Sequence, residues 1–78
     1  MQWFDVKETT LYWSKEAHEE LETIQFILLP TVGAQFHKGD TFLEVEARKA
    51  TYEIEAPFDL RVEEVYDGHD AILKFTMI

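Results

Sequence analysis

Two stretches of the chain alternate between apolar and polar residues. From Thr41 to Ala47, Leu43, Val45 and Ala47 take one face and Glu44 and Glu46 the other, the period-2 pattern of a half-buried strand. Phe42 falls on the glutamate face and breaks the pattern at the strand's start. Thr51 to Ala56 repeats the alternation, with Tyr52, Ile54 and Ala56 opposite Thr51, Glu53 and Glu55. The tip between these strands is Arg48-Lys49-Ala50, a tight hairpin with a lysine at its apex.

The flanking segments read as further short strands and one helix. Residues 3–7 and 10–13 are rich in aromatic and β-branched side chains and predict two strands. Ser14 is a good N-cap, followed by Glu16, Glu19 and Glu20 near the positive end of a helix over residues 15–22. Ala17 and Leu21 share one face of that helix, which is too short to hold unless the stripe packs on a sheet. Ile24 to Leu29 reads as a buried strand, stopped by Pro30. Val32-Gly33 and Lys38-Gly39-Asp40 are turns, with Ala34-Gln35-Phe36 a short extended link between them. Residues 60–65 and 71–77 add two strands joined by Asp67-Gly68-His69-Asp70. About seven short strands and one helix predict a mainly β sandwich or barrel.

Composition bounds the function. A chain of 78 residues is expected to be one domain over residues 1–78, or part of one, and 46% hydrophobic residues suffice for a folded core. There is no cysteine, which excludes disulfides and thiolate chemistry. Phe26 to Leu29 is the longest apolar run, far too short to span a bilayer, and the N-terminus lacks the pattern of a signal peptide. A soluble, cytoplasmic protein is expected. Sixteen acidic against seven basic residues give a net charge of −9. That balance argues against nucleic acid and favours encounter with basic protein surfaces.

Most side chains with chemical potential read as bland. His18, His37 and His69 lack metal-ligand spacing and are expected to be solvated or locally bonded. Glu63 and Glu64 are strand neighbours and point to opposite faces, unlike a catalytic pair. No nucleophile-base-acid set and no phosphate-cradling glycine loop is present. Trp3, Phe4, Tyr12 and Trp13 read as core and edge packing.

Residues 38–57, KGDTFLEVEARKATYEIEAP, resemble the attachment hairpin of the biotinyl/lipoyl domain superfamily. Those domains place a target lysine at a hairpin tip, after a K-G-D/E turn and before an A-P step. Lys49-Ala50 matches the lipoyl form, whereas biotin carriers usually have methionine on both sides of the lysine. Glu46 stands three before Lys49, as in the E-S-V-K-A pattern of H proteins of the glycine cleavage system. Residues 13–33 resemble the H-protein helix followed by a strand ending L-P-x-V-G, with Ser14, Ala17, Leu21, Ile24, Leu29, Pro30, Val32 and Gly33 at matching positions. Gln2-Trp3 is similar to the E-W that opens the first H-protein hairpin. Departures are Glu22 for the glycine of L-G-D-I, Asp59-Leu60 for an S-G turn, and Arg48 for a small apolar residue. Asp67 to Asp70 also leads almost directly to a final strand where H proteins carry a helical region.

The resemblance implies a barrel-sandwich hybrid, lipoyl/biotinyl-domain-like, with one short helix. It implies a carrier, not an enzyme, with lipoate attached to Lys49. A recognition fringe of Glu44, Glu46, Arg48 and Ala50, extended by Glu53 and Glu55, would surround that lysine, with Arg48 available to pair with an acid. A solvated lysine is protonated at neutral pH and needs an activated acyl donor. The implied partners are a lipoate ligase or lipoyltransferase, then a glycine decarboxylase, an aminomethyltransferase and dihydrolipoyl dehydrogenase. The alternatives are an unmodified H-protein-like interaction module, or a lipoyl carrier for a non-glycine redox or lipoate-relay system. A biotin carrier is a third reading, disfavoured by the missing methionines.

Overall fold

A computed structural model describes residues 2–21, 23–68 and 70–78, with the side chains of Glu20 and Leu21 also outside the description. The expected packing of Leu21, the expected helix end at Glu22, and His69 therefore lie outside the described residues.

The strands are β1 (Phe4–Lys7), β2 (Thr10–Trp13), β3 (Ile24–Leu28), β4 (Gln35–Phe36), β5 (Thr41–Ala47), β6 (Thr51–Glu55), β7 (Leu60–Val65) and β8 (Ala71–Met77). One helix, α1 (Lys15–Leu21), separates β2 from β3. The strands form two antiparallel sheets, ordered β1-β2-β8-β7-β4 and β3-β5-β6. The predicted mainly β architecture with one short helix is the one observed, consistent with a barrel-sandwich hybrid. The expected extended link supplies β4, which pairs with β7.

The core gathers the inward residues of both sheets. Leu43 and Val45 come from the smaller sheet, and Leu11, Leu60, Val62, Ile72 and Leu73 from the larger. Ser14 joins the helix to this body. Its Oγ accepts from the Ala17 N–H at 3.0 Å and donates to the Gln2 carbonyl. Its own N–H donates to the Trp3 carbonyl at 3.0 Å. Ala17 is fully buried beneath, as its place on the apolar stripe predicts.

Among the described strands the register shifts in four pairings, β2–β8, β3–β5, β5–β6 and β7–β8, and the shifts in β5 and β3 change the face assignments around the hairpin. In β5 the register shifts between Thr41 and Leu43, so Phe42 is an extra residue opposite β6. Phe42 and Leu43 are therefore both buried, and the Phe42 ring lies between Phe4 and Phe36, with centroids at 5.8 and 6.0 Å. In β3 the register shifts between Ile24 and Phe26. Ile24 and Ile27 turn inward, while Phe26 and Leu28 turn outward and are 56% and 50% exposed. The expectation of a buried strand at Ile24 to Leu29 is thus corrected. β3 is the outer strand of a three-stranded sheet, and half of its apolar side chains face solvent.

Candidate functional site

The candidate site is the corner between β5 and β6. Its base is fixed by the Lys38-Gly39-Asp40 turn, where Gly39 has φ +94°, a conformation that L side chains rarely adopt. The Gly39 N–H donates to the Ala56 carbonyl at 2.9 Å, and the Ala56 N–H to the Asp40 carbonyl at 2.7 Å. Asp40 Oδ2 accepts from the His37 N–H at 2.8 Å, and Asp59 Oδ1 from the Lys38 N–H at 2.9 Å. The two strands thus leave the body as one braced hairpin.

At the far end Glu46 pairs with Thr51, and the Ala47 N–H donates to the Ala50 carbonyl at 2.9 Å. Arg48 and Lys49 form the corner. Neither has a positive φ, since Glu8 is the one non-glycine residue in that region among those described. The Arg48 N–H donates to the Thr23 carbonyl at 3.1 Å and ties the corner to the start of β3. Ala47 is buried beneath the turn, whereas Arg48, Lys49 and Ala50 are exposed. A cleft of about 370 Å³ beside the corner is lined by Thr23, Ala47, Arg48, Lys49, Ala50 and Tyr52. Tyr52 packs against Trp3 with ring centroids 5.2 Å apart.

The four glutamates of the hairpin lie on one face of the sheet. Cross-strand partners share a face, so the pairs Glu46–Thr51, Glu44–Glu53 and Thr41–Glu55 place four carboxylates on the outer side of the sheet. Glu44 is half-buried and the other three are exposed. Arg48 was expected to be able to pair with one of them, but among the described residues it forms no ion pair. The ion pairs lie elsewhere: Arg61–Glu63 at 2.9 Å, and His37 with Asp59 at 3.6 Å if His37 is protonated. The register of β7 against β8 shifts between Val62 and Glu64, so the alternation expected to send Glu63 and Glu64 to opposite faces is interrupted. The two carboxylates nevertheless have separate partners. The Glu63 carboxylate binds Arg61 and Thr76, while that of Glu64 accepts from the Tyr66 hydroxyl at 2.8 Å.

Pattern reading missed four neighbours of the hairpin. Phe26 and Leu28 stand beside Glu46 and Glu44 on the outer face, hidden by the bulge in β3. Thr23 and Tyr52 line the cleft under Lys49. Tyr52 has the same parity as buried Ile54, which disguised its exposure at the strand's end.

The corner can present one primary amine, on a turn whose backbone is fixed at its base and flank. Among the described residues the Lys49 side chain is exposed and makes no hydrogen bond or ion pair.

The sequence comparisons agree with this geometry. The model of the glycine cleavage H-protein family matches residues 1–69. The chain is 41% identical over 52 residues to a probable glycine cleavage system H protein of Thermococcus gammatolerans, an alignment covering 67% of this chain and 39% of that protein. The corresponding protein of Thermococcus kodakarensis is 40% identical over 55 residues, covering 70% of this chain and 41% of the relative. That of Pyrococcus horikoshii is 43% identical over 49 residues, covering 63% and 37%. The matched region thus spans well under half the length of each relative. With a family match over most of its residues and the hairpin in place, the chain belongs to the glycine cleavage H-protein family.

Proposed function

We propose that the protein is a lipoyl carrier in which lipoate is joined to Nζ of Lys49. The observation that carries this reading is the exposed lysine at the corner of a braced hairpin, in a chain of this family. The residues present suit the group. Lys49 stands clear of the sheets, and the cleft lined by Thr23, Ala47 and Tyr52 lies beside the root of the arm. In attachment, the deprotonated amine attacks an activated lipoyl carboxyl, an amide forms, the activating group leaves, and the ammonium proton passes to solvent.

When bound, lipoate supplies a dithiolane that accepts a one-carbon aminomethyl unit and is afterwards reoxidised by a partner. This chain's part is positional. Arg48 N–H bonded to Thr23, and Ala47 bonded to Ala50, hold the root of the arm still, so that the flexible arm searches from a fixed point. The partners of this reading are a lipoate ligase or lipoyltransferase, glycine decarboxylase, aminomethyltransferase and dihydrolipoyl dehydrogenase. Glu46, with Glu44, Arg48 and Ala50, forms the recognition fringe that the attaching enzyme reads.

The test is the intact mass of the chain purified from its host, with fragmentation to place any added group. A lipoyl mass on Lys49 that disappears in Lys49→Arg supports the carrier. A chain still bare after incubation with lipoate ligase, ATP and lipoate would make it an unmodified interaction module instead. Reversal of Glu46 to lysine should lower the extent of lipoylation, and an unchanged extent removes Glu46 from the fringe.

A further inference from the structure

The outer face of the three-stranded sheet carries a feature that the lysine hairpin does not require. Phe26 and Leu28 stand two residues apart on β3, 56% and 50% exposed, directly beside Glu46 and Glu44 of β5. Single exposed apolar residues are ordinary on a protein surface. These two are adjacent, and a groove of about 210 Å³ opens beside Leu28, floored by Phe36, Phe42 and Leu43. β3 is also the outer strand of its sheet and contains no charged residue, so its edge lacks the protection that lysine commonly gives such strands.

Charge decides what covers this face. A second copy would bring the same carboxylates into opposition, each chain carrying a net −9. A surface with basic residues around an apolar anchor matches both components at once, since anchors seat centrally and charges form the rim. The face runs to the Lys49 corner, with Glu44 roughly 15 Å along the strand from it. A protein seated there has its own reactive centre within reach of Nζ.

We infer that the enzyme that acylates Lys49 docks on this face, its basic rim on Glu44, Glu46 and Glu53 and an apolar side chain against Phe26 and Leu28. The inference rests on the carrier reading of Lys49 and adds the surface on which the attaching enzyme is held.

The experiment is steady-state loading of the purified chain by its host's lipoate ligase with ATP and lipoate, as a function of chain concentration. Phe26→Ser/Leu28→Ser should raise KM about tenfold with kcat nearly unchanged, the loss expected of a central apolar anchor. Val6→Ser, which changes a 48% exposed residue on β1 of the other sheet, should move neither. Glu44→Gln/Glu53→Gln should flatten the fall of kcat/KM with ionic strength. Thermal midpoints of each variant confirm folding. Wild-type chain that is loaded on Lys49, with unchanged KM in the serine variant, overturns the docking and leaves the carrier standing. Wild-type chain that the ligase cannot load overturns both. A wild-type dimer that the serine variant dissociates assigns the face to a second copy and overturns the docking.

Discussion

Glu44 and Glu53 stand directly opposite each other across β5 and β6, and among the described residues no cation pairs with either. Opposed like charges weaken a sheet, and a sequence shaped for stability alone would place an opposite charge or a threonine at one position. Glu46, one pair closer to the corner, does face Thr51. The uncompensated pair is intelligible if the face is read by a basic partner, whose arrival relieves the repulsion.

Glu53→Gln should therefore stabilise the isolated chain. The expected gain is about 0.2–1 kcal/mol, from the cross-strand term alone. It should shrink as salt is added, because the repulsion is exposed and screened. Thermal midpoints at low and high ionic strength check this, and a gain indifferent to salt would assign it to propensity and not to charge.

Phe42 should be among the most costly core positions. It is 4% exposed and meets Phe4 and Phe36 across the seam between the sheets. Phe42→Ala should cost about 3–5 kcal/mol, which a domain of this size can scarcely absorb. Phe42→Leu keeps most of the volume and should be clearly milder. Urea midpoints of the two variants give the comparison, and equal losses would mean that the bulge backbone, not the ring, is the sensitive element.

The same bulge marks the boundary of what pattern can reveal. Leu43, Val45, Ile54 and Ala56 are inward as their alternation predicts, and the outward carboxylates follow from the same period. Lys49 falls at the corner because the two patterned runs leave no room for a longer loop. A bulge adds a residue without any local mark, so Phe42 appeared only as a break in parity. In β3 there was no polar alternation to break. Four of its five residues are apolar and the strand reads as buried, and only the pairing with β5 shows Phe26 and Leu28 outside. The attachment proposed at Lys49 rests on family resemblance, since an exposed lysine in a turn has no signature of its own.

Ser14 should show a capping loss larger than an exposed cap would. Its hydroxyl takes the Ala17 N–H and gives its own proton to the Gln2 carbonyl, so one side chain serves the helix and the segment leading into β1 together. It is also only 4% exposed, and Ala17 is fully buried, so the Ala17 N–H cannot readily turn to water instead. Ser14→Ala should cost about 1–2 kcal/mol. Ser14→Thr, which keeps the hydroxyl, should recover part of that. Chemical denaturation decides, and a loss the threonine does not reduce would point to crowding at this buried site.

Glu63 should make the stability of the larger sheet depend on pH. The Thr76 hydroxyl donates to Oε1 at 2.8 Å and Arg61 Nε to the same oxygen at 3.0 Å. The Thr76 bond first, and then Arg61, hold the carboxyl below its ordinary value of 4.5. A carboxylate depressed by folding adds stability above its unfolded pKa and loses it as pH falls through the folded one. Glu63→Gln should accordingly be less stable than wild type at pH 7. The gap should begin to close as pH falls past 4.5 and be nearly gone below the folded pKa. Urea midpoints of both chains across that range measure it. A gap that persists undiminished in acid would show that the side chain acts by packing between β7 and β8, with its charge incidental.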